Sequence, residues 1–328
     1  MNLHDLLHSF VKPARRRRHQ RSNTSQAAEV CEDRCLLTTG TGQFLGGQIL
    51  AGFAAADVAL GDIDGDGDLD AFFANVDPSA NQGPADWTAA PNRLFLNNGG
   101  VFTDSGQTLG NEISLSVELG DLDGDGDLDA FVGNAGPDSI WLNDGNGNFT
   151  DSGLALGNGF SIGVELSDLN GDGVLDIAVT NTLVTPGLDT EGAVWINQGV
   201  APLSYTNTGS NLWGTESSSE IALGDVDGNG TIDAVVTQFS ADGPGTGANR
   251  IFLNDGSGTF TDSGNTFATM SSLGVGLADF DGDNDLDIFI ADDDLLEGDR
   301  VYINQGGSQG GTEGVFVDSG QRLGVGRY

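Results

Sequence analysis

The chain has 328 residues, 38% of them apolar, which is enough for a packed core in one large domain or two ordinary ones. Gly is abundant at 52 and Pro scarce at 8, a balance that favours many tight turns over collagen-like or Pro-rich linker sequence. A formal net charge of −37 excludes nucleic acid as a partner of the folded region, because phosphates would be repelled.

Residues 1–39 form a compositional zone of their own. Lys12, Arg15, Arg16, Arg17, Arg18, Arg21 and Arg34 lie here, seven of the 12 basic residues. So do His4, His8, His19 and both cysteines. No apolar run follows the basic stretch, as a secretory signal would require, and no stretch is long enough to cross a membrane as a helix. Cys31-Glu32-Asp33-Arg34-Cys35-Leu36-Leu37-Thr38 resembles a short Leu-Glu-x-Arg-x-Leu-Leu motif near the start of large exported bacterial proteins, with Cys31 in place of the usual Leu. The zone is therefore expected to be a basic, disordered export or targeting segment ahead of a domain spanning 40–328. Cys31 and Cys35 are spaced to allow a disulfide without requiring one.

From residue 40 onwards there are five Arg (Arg93, Arg250, Arg300, Arg322, Arg327) and no Lys, His or Cys. This removes Ser–His and Cys–His nucleophile pairs, His/Cys metal sites, Lys Schiff bases and the P-loop lysine. Carboxylates, Tyr, Arg and backbone groups are what remain for chemistry.

The same region is a repeat array, with an acidic loop at a fixed phase of each repeat. The first is Asp62-Ile63-Asp64-Gly65-Asp66-Gly67-Asp68-Leu69-Asp70. The second carries Asp121, Asp123, Asp125, Asp127 and Asp129, and the third Asp168, Asn170, Asp172, Val174 and Asp176. The fourth carries Asp225, Asp227, Asn229, Thr231 and Asp233, and the fifth Asp279, Asp281, Asp283, Asp285 and Asp287. An alternating or apolar run precedes each loop, such as Leu115–Leu119, and a β-rich run follows it, such as Ala71–Ala74 or Ile177–Thr180. After a connection of variable length comes a third short strand: Arg93–Leu96, Ile140–Leu142, Val194–Ile196, Ile251–Leu253 and Val301–Ile303. An Asn/Asp/Gly turn and a closing strand complete the unit, as in Asn143–Gly147 followed by Phe149–Ser152.

Four antiparallel strands repeated about every 50 residues predict a β-propeller, most simply of five blades, with each acidic loop joining a blade's first two strands. Gly42–Gln48 and Val315–Gln321 share one phase of the repeat, as a shared closing blade would require.

Five carboxylates in nine residues repel one another, and a hard divalent cation resolves the repulsion. Calcium takes six to eight oxygens. Positions 1, 3, 5 and 9 can offer side-chain oxygens and position 7 a carbonyl. Gly67, Gly126, Gly173, Gly230 and Asn284 at position 6 suit the sharp turn. The EF-hand glutamate at position 12 is replaced by Phe73, Val132, Val179, Val236 and Ile290, so the loop closes at position 9. Up to five Ca²⁺ ions are expected, with weaker binding in loops three and four, where Asn170 and Asn229 replace carboxylates.

Val117–Gly133 and Gly145–Phe149 resemble the FG-GAP and VCBS repeats of integrin α-subunit-like β-propellers, and the likeness extends over about residues 40–325. It implies adhesion, surface recognition or carbohydrate binding outside the cell, with a minority of such propellers acting as polysaccharide lyases. The leading expectation is thus a calcium-stabilised extracellular binding module for carbohydrate or surface protein. The alternative is a carboxylate- or calcium-dependent polysaccharide lyase or hydrolase, which a deep pocket joining Arg, carboxylate and Tyr would favour. The variable connections fall on the face opposite the acidic loops, where a ligand would bind. Trp87 in the longest of them is the candidate ligand contact. Phe95, Trp141, Trp195, Phe252 and Tyr302 are expected to pack between blades, and Trp213 lies between units without a clear role.

Overall fold

Alternating apolar and small residues on either side of each acidic loop make strands whose two faces must both be buried. The computed structural model describes residue 50 and residues 54–77, 87–182, 192–209, 217–239, 248–267, 272–292, 298–306 and 310–324. The basic segment, the cysteines, Gly42–Gln48 and Trp213 lie outside them.

The described chain is all β and forms five successive units arranged as a propeller. Unit one contains β1 (Ala55–Gly61), β2 (Asp70–Asp77), β3 (Thr88–Asn98) and β4 (Val101–Asp104), with a short β5 (Leu109–Glu112) paired to β3. Units two and three run through β6 (Ser114–Gly120), β7 (Asp129–Asn143), β8 (Phe149–Ser167), β9 (Asp176–Asn181), β10 (Ala193–Asn197) and β11 (Tyr205–Asn207). Unit four is β12 (Ser217–Gly224), β13 (Asp233–Phe239), β14 (Asn249–Asn254) and β15 (Phe260–Phe267). Unit five is β16 (Ser272–Ala278), β17 (Asp287–Asp292), β18 (Asp299–Asn304) and β19 (Phe316–Leu323), so the last blade draws all four strands from its own stretch.

Every acidic loop joins two antiparallel strands at one register, with the residue before the loop opposite its ninth residue. The pairs are Gly61↔Asp70, Gly120↔Asp129, Ser167↔Asp176, Gly224↔Asp233 and Ala278↔Asp287. The five units nevertheless fall into four hydrogen-bonded sheets. The reason lies in two long strands: β7 pairs first with β6 and then with β8, and the end of β8 pairs with β9. Units two and three thereby share one six-stranded sheet. The bend in β7 is fastened locally, where the Asn134 N–H donates to Asp138 Oδ1 at 2.8 Å and Asn134 Nδ2 to the Pro137 carbonyl at 3.0 Å.

Neighbouring units stack through four apolar seams. Ile63, Phe72 and Leu94 of unit one meet Val117, Val132 and Trp141 of unit two, with Phe72 edge-on to Phe149 at 5.5 Å. Leu122, Phe131 and Ile140 meet Val164, Ile177 and Val179, and Trp195 packs against this group. Leu169 and Val194 meet Ile221, Val236 and Phe252. Val226 and Ile251 meet Ile288, Ile290 and Tyr302. The expected inter-blade packing of Trp141, Trp195, Phe252 and Tyr302 is thus observed. Phe95 is also buried, but its ring meets Phe73 of its own blade. Between units five and one the described residues are less covered: Leu60 and Phe280 are 59% and 49% exposed, while Leu273 of unit five and Trp87 of unit one both pack against the cluster of Leu115 and Phe160 in units two and three.

A hydrogen bond reinforces each seam. The Asn that ends the third strand donates from Nδ2 to the carbonyl of loop position 2 in the preceding unit. The pairs are Asn143 to Ile63 (2.9 Å), Asn197 to Leu122 (2.8 Å), Asn254 to Leu169 (2.8 Å) and Asn304 to Val226 (3.0 Å). Asn97 of unit one reaches only its own Leu69 carbonyl among the described residues. Asn254→Ala is therefore expected to cost about 2–3 kcal/mol in urea unfolding, because a buried carbonyl loses its donor, and Asn97→Ala only about 1 kcal/mol. Equal costs would show that the bond across the seam contributes nothing.

Candidate metal centres

The acidic loops are wound by their own carboxylates. In all five, the position 6 N–H donates to Oδ2 of the first aspartate: Gly67 to Asp62 (3.1 Å), Gly126 to Asp121 (3.1 Å), Gly173 to Asp168 (2.8 Å), Gly230 to Asp225 (2.9 Å) and Asn284 to Asp279 (3.0 Å). The turn requires φ between 74° and 96° at that residue, which is why Gly stands there four times and Asn284 once.

Position 9 has a double task. Asp70, Asp129, Asp176, Asp233 and Asp287 are all fully buried. Oδ2 of each accepts the N–H of loop position 2, at 2.8–3.2 Å. Oδ1 of each accepts the N–H of the Asn ending the third strand, at 2.7–2.9 Å. Burial pushes Asp129, Asp176 and Asp233 up to about 6, against the downward pull of these hydrogen bonds.

Four loops bring three carboxylates within mutual reach. Oxygens of Asp62, Asp64 and Asp66 lie within 4.8 Å of one another, as do those of Asp121, Asp123 and Asp129. The same holds for Asp225, Asp227 and Asp233 and for Asp279, Asp281 and Asp287. The third loop forms no such carboxylate group among the described residues, and its Asn170 Nδ2 instead donates to Asp172 Oδ2 at 3.0 Å. Asp285 is buried with neither carboxylate oxygen hydrogen-bonded, and Asp62 Oδ1 is likewise without a partner. Burial first, and then the surrounding carboxylates, push Asp285 up to about 7. An all-oxygen donor set with orphaned, buried carboxylate oxygens fits a hard cation.

Position 7 side chains meet the hairpin that follows. Asp68 Oδ2 accepts the Gly99 N–H at 2.6 Å, and a Cβ at Gly145 would lie 2.5 Å from Asp127 Oδ2. Sequence reasoning gave this position a carbonyl role alone. It also missed the Asn at the end of the third strand, although Phe95-Leu96-Asn97, Trp141-Leu142-Asn143, Trp195-Ile196-Asn197, Phe252-Leu253-Asn254 and Tyr302-Ile303-Asn304 form one recurrent triplet.

A second acidic feature was not anticipated. The innermost strands β1, β6, β8, β12 and β16 surround a cavity of about 350 Å³, and Asp57, Glu118, Glu165 and Glu220 line it. Trp87, the expected ligand contact, is half-buried and stacked on Phe160 with centroids 6.4 Å apart. Most of the variable connections lie outside the described residues.

A family model for FG-GAP-like repeats matches residues 79–132, 121–179 and 225–290, together just over half of the chain. No curated protein matches the sequence. Among solved structures, the chain resembles a lectin of Agrocybe aegerita described as recognising non-reducing terminal N-acetylglucosamine, at 20% identity and a TM-score of 0.45 over 79% of this chain and 64% of that one. It resembles the V. cholerae biofilm matrix protein Bap1 at 17% identity and a TM-score of 0.47, over 81% of this chain and 40% of that one. A putative 6-phosphogluconolactonase of Bacteroides fragilis follows at 14% identity and 0.49, over 76% and 66%. The chain thus spans less than two-thirds of each of these structures, and likeness at this level carries no functional argument.

The two classes of loop aspartate separate experimentally. With EDTA present, Asp129→Ala is expected to cost about 2–5 kcal/mol, since the buried N–H groups of Leu122 and Asn143 lose their acceptor. The exposed Asp125→Ala should cost about 0.5 kcal/mol or less under the same conditions. Thermal unfolding of both variants in EDTA checks this, and similar losses would refute the division.

Proposed function

The chain belongs to the FG-GAP-like repeat family, and from that membership we propose that it is an extracellular binding module, stiffened by calcium, for carbohydrate or a surface protein. The observation that carries the reading is the uniform acidic loop. Five loops of one geometry fasten first strand to second in every unit; in four of them three carboxylates crowd together, and in the first and fifth carboxylate oxygens are left unsatisfied. Calcium takes such all-oxygen sets with flexible geometry, whereas magnesium keeps its waters and seldom enters an all-protein cage. The ion would be held by Asp62, Asp64, Asp66 and Asp70 in the first loop and by the equivalent residues in the others. It would neutralise the repulsion that each loop otherwise carries.

Calcium is millimolar outside cells and scarce inside them, so a scaffold that depends on several weak sites suits an exported protein. No helix among the described residues is long and apolar enough to cross a membrane. The metal loops lie beside the hairpins, which leaves the variable connections and Trp87 as the surface on which specificity would be built.

The test is a binding screen of the full chain against immobilised glycans and surface proteins, in millimolar calcium and again in EDTA. A signal present in calcium and lost in EDTA is the expected result. Binding that survives EDTA unchanged would contradict the calcium part of the reading, and hydrolysis or elimination of a bound polysaccharide would contradict the non-catalytic part.

A further inference from the structure

The central cavity collects carboxylates from four different blades. Asp57 comes from β1, Glu118 from β6, Glu165 from β8 and Glu220 from β12. The remaining wall, β16, contributes Leu273, Gly274 and Val275, so it brings neither an acid nor a base. Ser116 and Ser219 are the other polar side chains, and among the described residues no Lys, Arg or His lines the space. Four acids thus face one another across about 350 Å³ with no countercharge among the described residues.

Their hydrogen bonds satisfy them only in part. Asp57 Oδ1 accepts the Val58 N–H at 2.8 Å and Oδ2 the Val117 N–H at 3.0 Å, the latter from the neighbouring blade. Glu220 Oε1 accepts the Ile221 N–H at 3.2 Å. These are single backbone donors, too few to hold a cluster of charges in a confined space.

We propose that the central cavity is a proton-operated brace: protons retained by Asp57, Glu118, Glu165 and Glu220 hold the innermost strands together, and their loss in mildly alkaline solution loosens the ring. The acids lie three residues ahead of a loop (Glu118, Glu165) or five ahead (Asp57, Glu220), beyond the metal ligands. Burial pushes Glu118 and Glu165 up to about 7, with the charges of Glu165 and Asp57 adding to the rise in Glu118. Glu220 rises to about 8 through burial, with Glu165, Asp57 and Glu118 adding to it, and burial also raises Asp57. The folded chain therefore holds protons that the unfolded chain has already released. Stability is full below the ordinary carboxylate range and declines as pH rises through 7 and 8.

The test is thermal unfolding of the full chain from pH 5.5 to 9, at fixed calcium, for the natural sequence and for Glu118→Gln/Glu165→Gln/Glu220→Gln. The natural chain is expected to lose about 10 °C in Tm across this range. The triple variant should lose less than half as much and should unfold above the natural chain at pH 9. Because the loops titrate identically in both proteins, the difference belongs to the cavity. Glu220→Gln alone is expected to remove part of the decline, and it serves as the test if the triple variant does not fold. A natural-chain Tm that does not fall, or variants that decline in parallel with it, would overturn the proposal.

Discussion

Each blade is organised around one buried aspartate. At loop position 9 a carboxylate with no solvent exposure accepts one N–H from the loop and one from the end of the third strand. A buried charge without such partners would be untenable, so the strand ends have to come to it. The Asn that donates to it from the backbone also reaches the carbonyl of loop position 2 in the preceding blade. Loop, hairpin and neighbouring blade therefore meet at a single point in units two to five. Other features follow from that fixture: the register of the first strand pair, the placing of the acidic cluster over it, and the approach of the hairpin to position 7.

The acidic loops were legible in the sequence because their determinants are local. Asp at positions 1 and 9 and a left-handed residue at position 6 act within nine residues, and the structure places every one of them in equivalent hydrogen bonds. The inter-blade aromatics were legible for a similar reason, since they sit at one strand phase. The Asn latch was harder to see, because the connection between the second and third strands varies in length and hides its constant relation to position 9. The cavity acids were harder still. Glu118 reads as one polar residue in an alternating strand, and only the ring brings it to Glu165 and Asp57. Trp87, an aromatic in a long connection, was legible as a candidate ligand contact, but its stacking on Phe160 was not, because that partner lies in another unit.

The sharing of one sheet by units two and three also has a local origin. The connection within β7 is so short that the strand continues through it, and the link between these units runs straight through β8. Repeat number and sheet number differ for that reason, while the loops and seams keep their fivefold and fourfold counts. Carboxylates thus serve the molecule in three settings. At position 9 they are buried and hydrogen-bonded, at positions 1 and 3 with 5 or 9 they crowd around a site fit for a hard cation, and in the cavity they confront one another with no countercharge among the described residues.

The central claim is that the loops are calcium sites on which the rigidity of the scaffold depends. The most direct measurement is thermal unfolding of the full chain in excess EDTA and then in millimolar calcium. Sites that bind only the folded state should together raise Tm by tens of degrees, each adding about 1–4 kcal/mol near saturation. An unchanged Tm would contradict the account, because the loops would then be acidic turns held by their own hydrogen bonds alone.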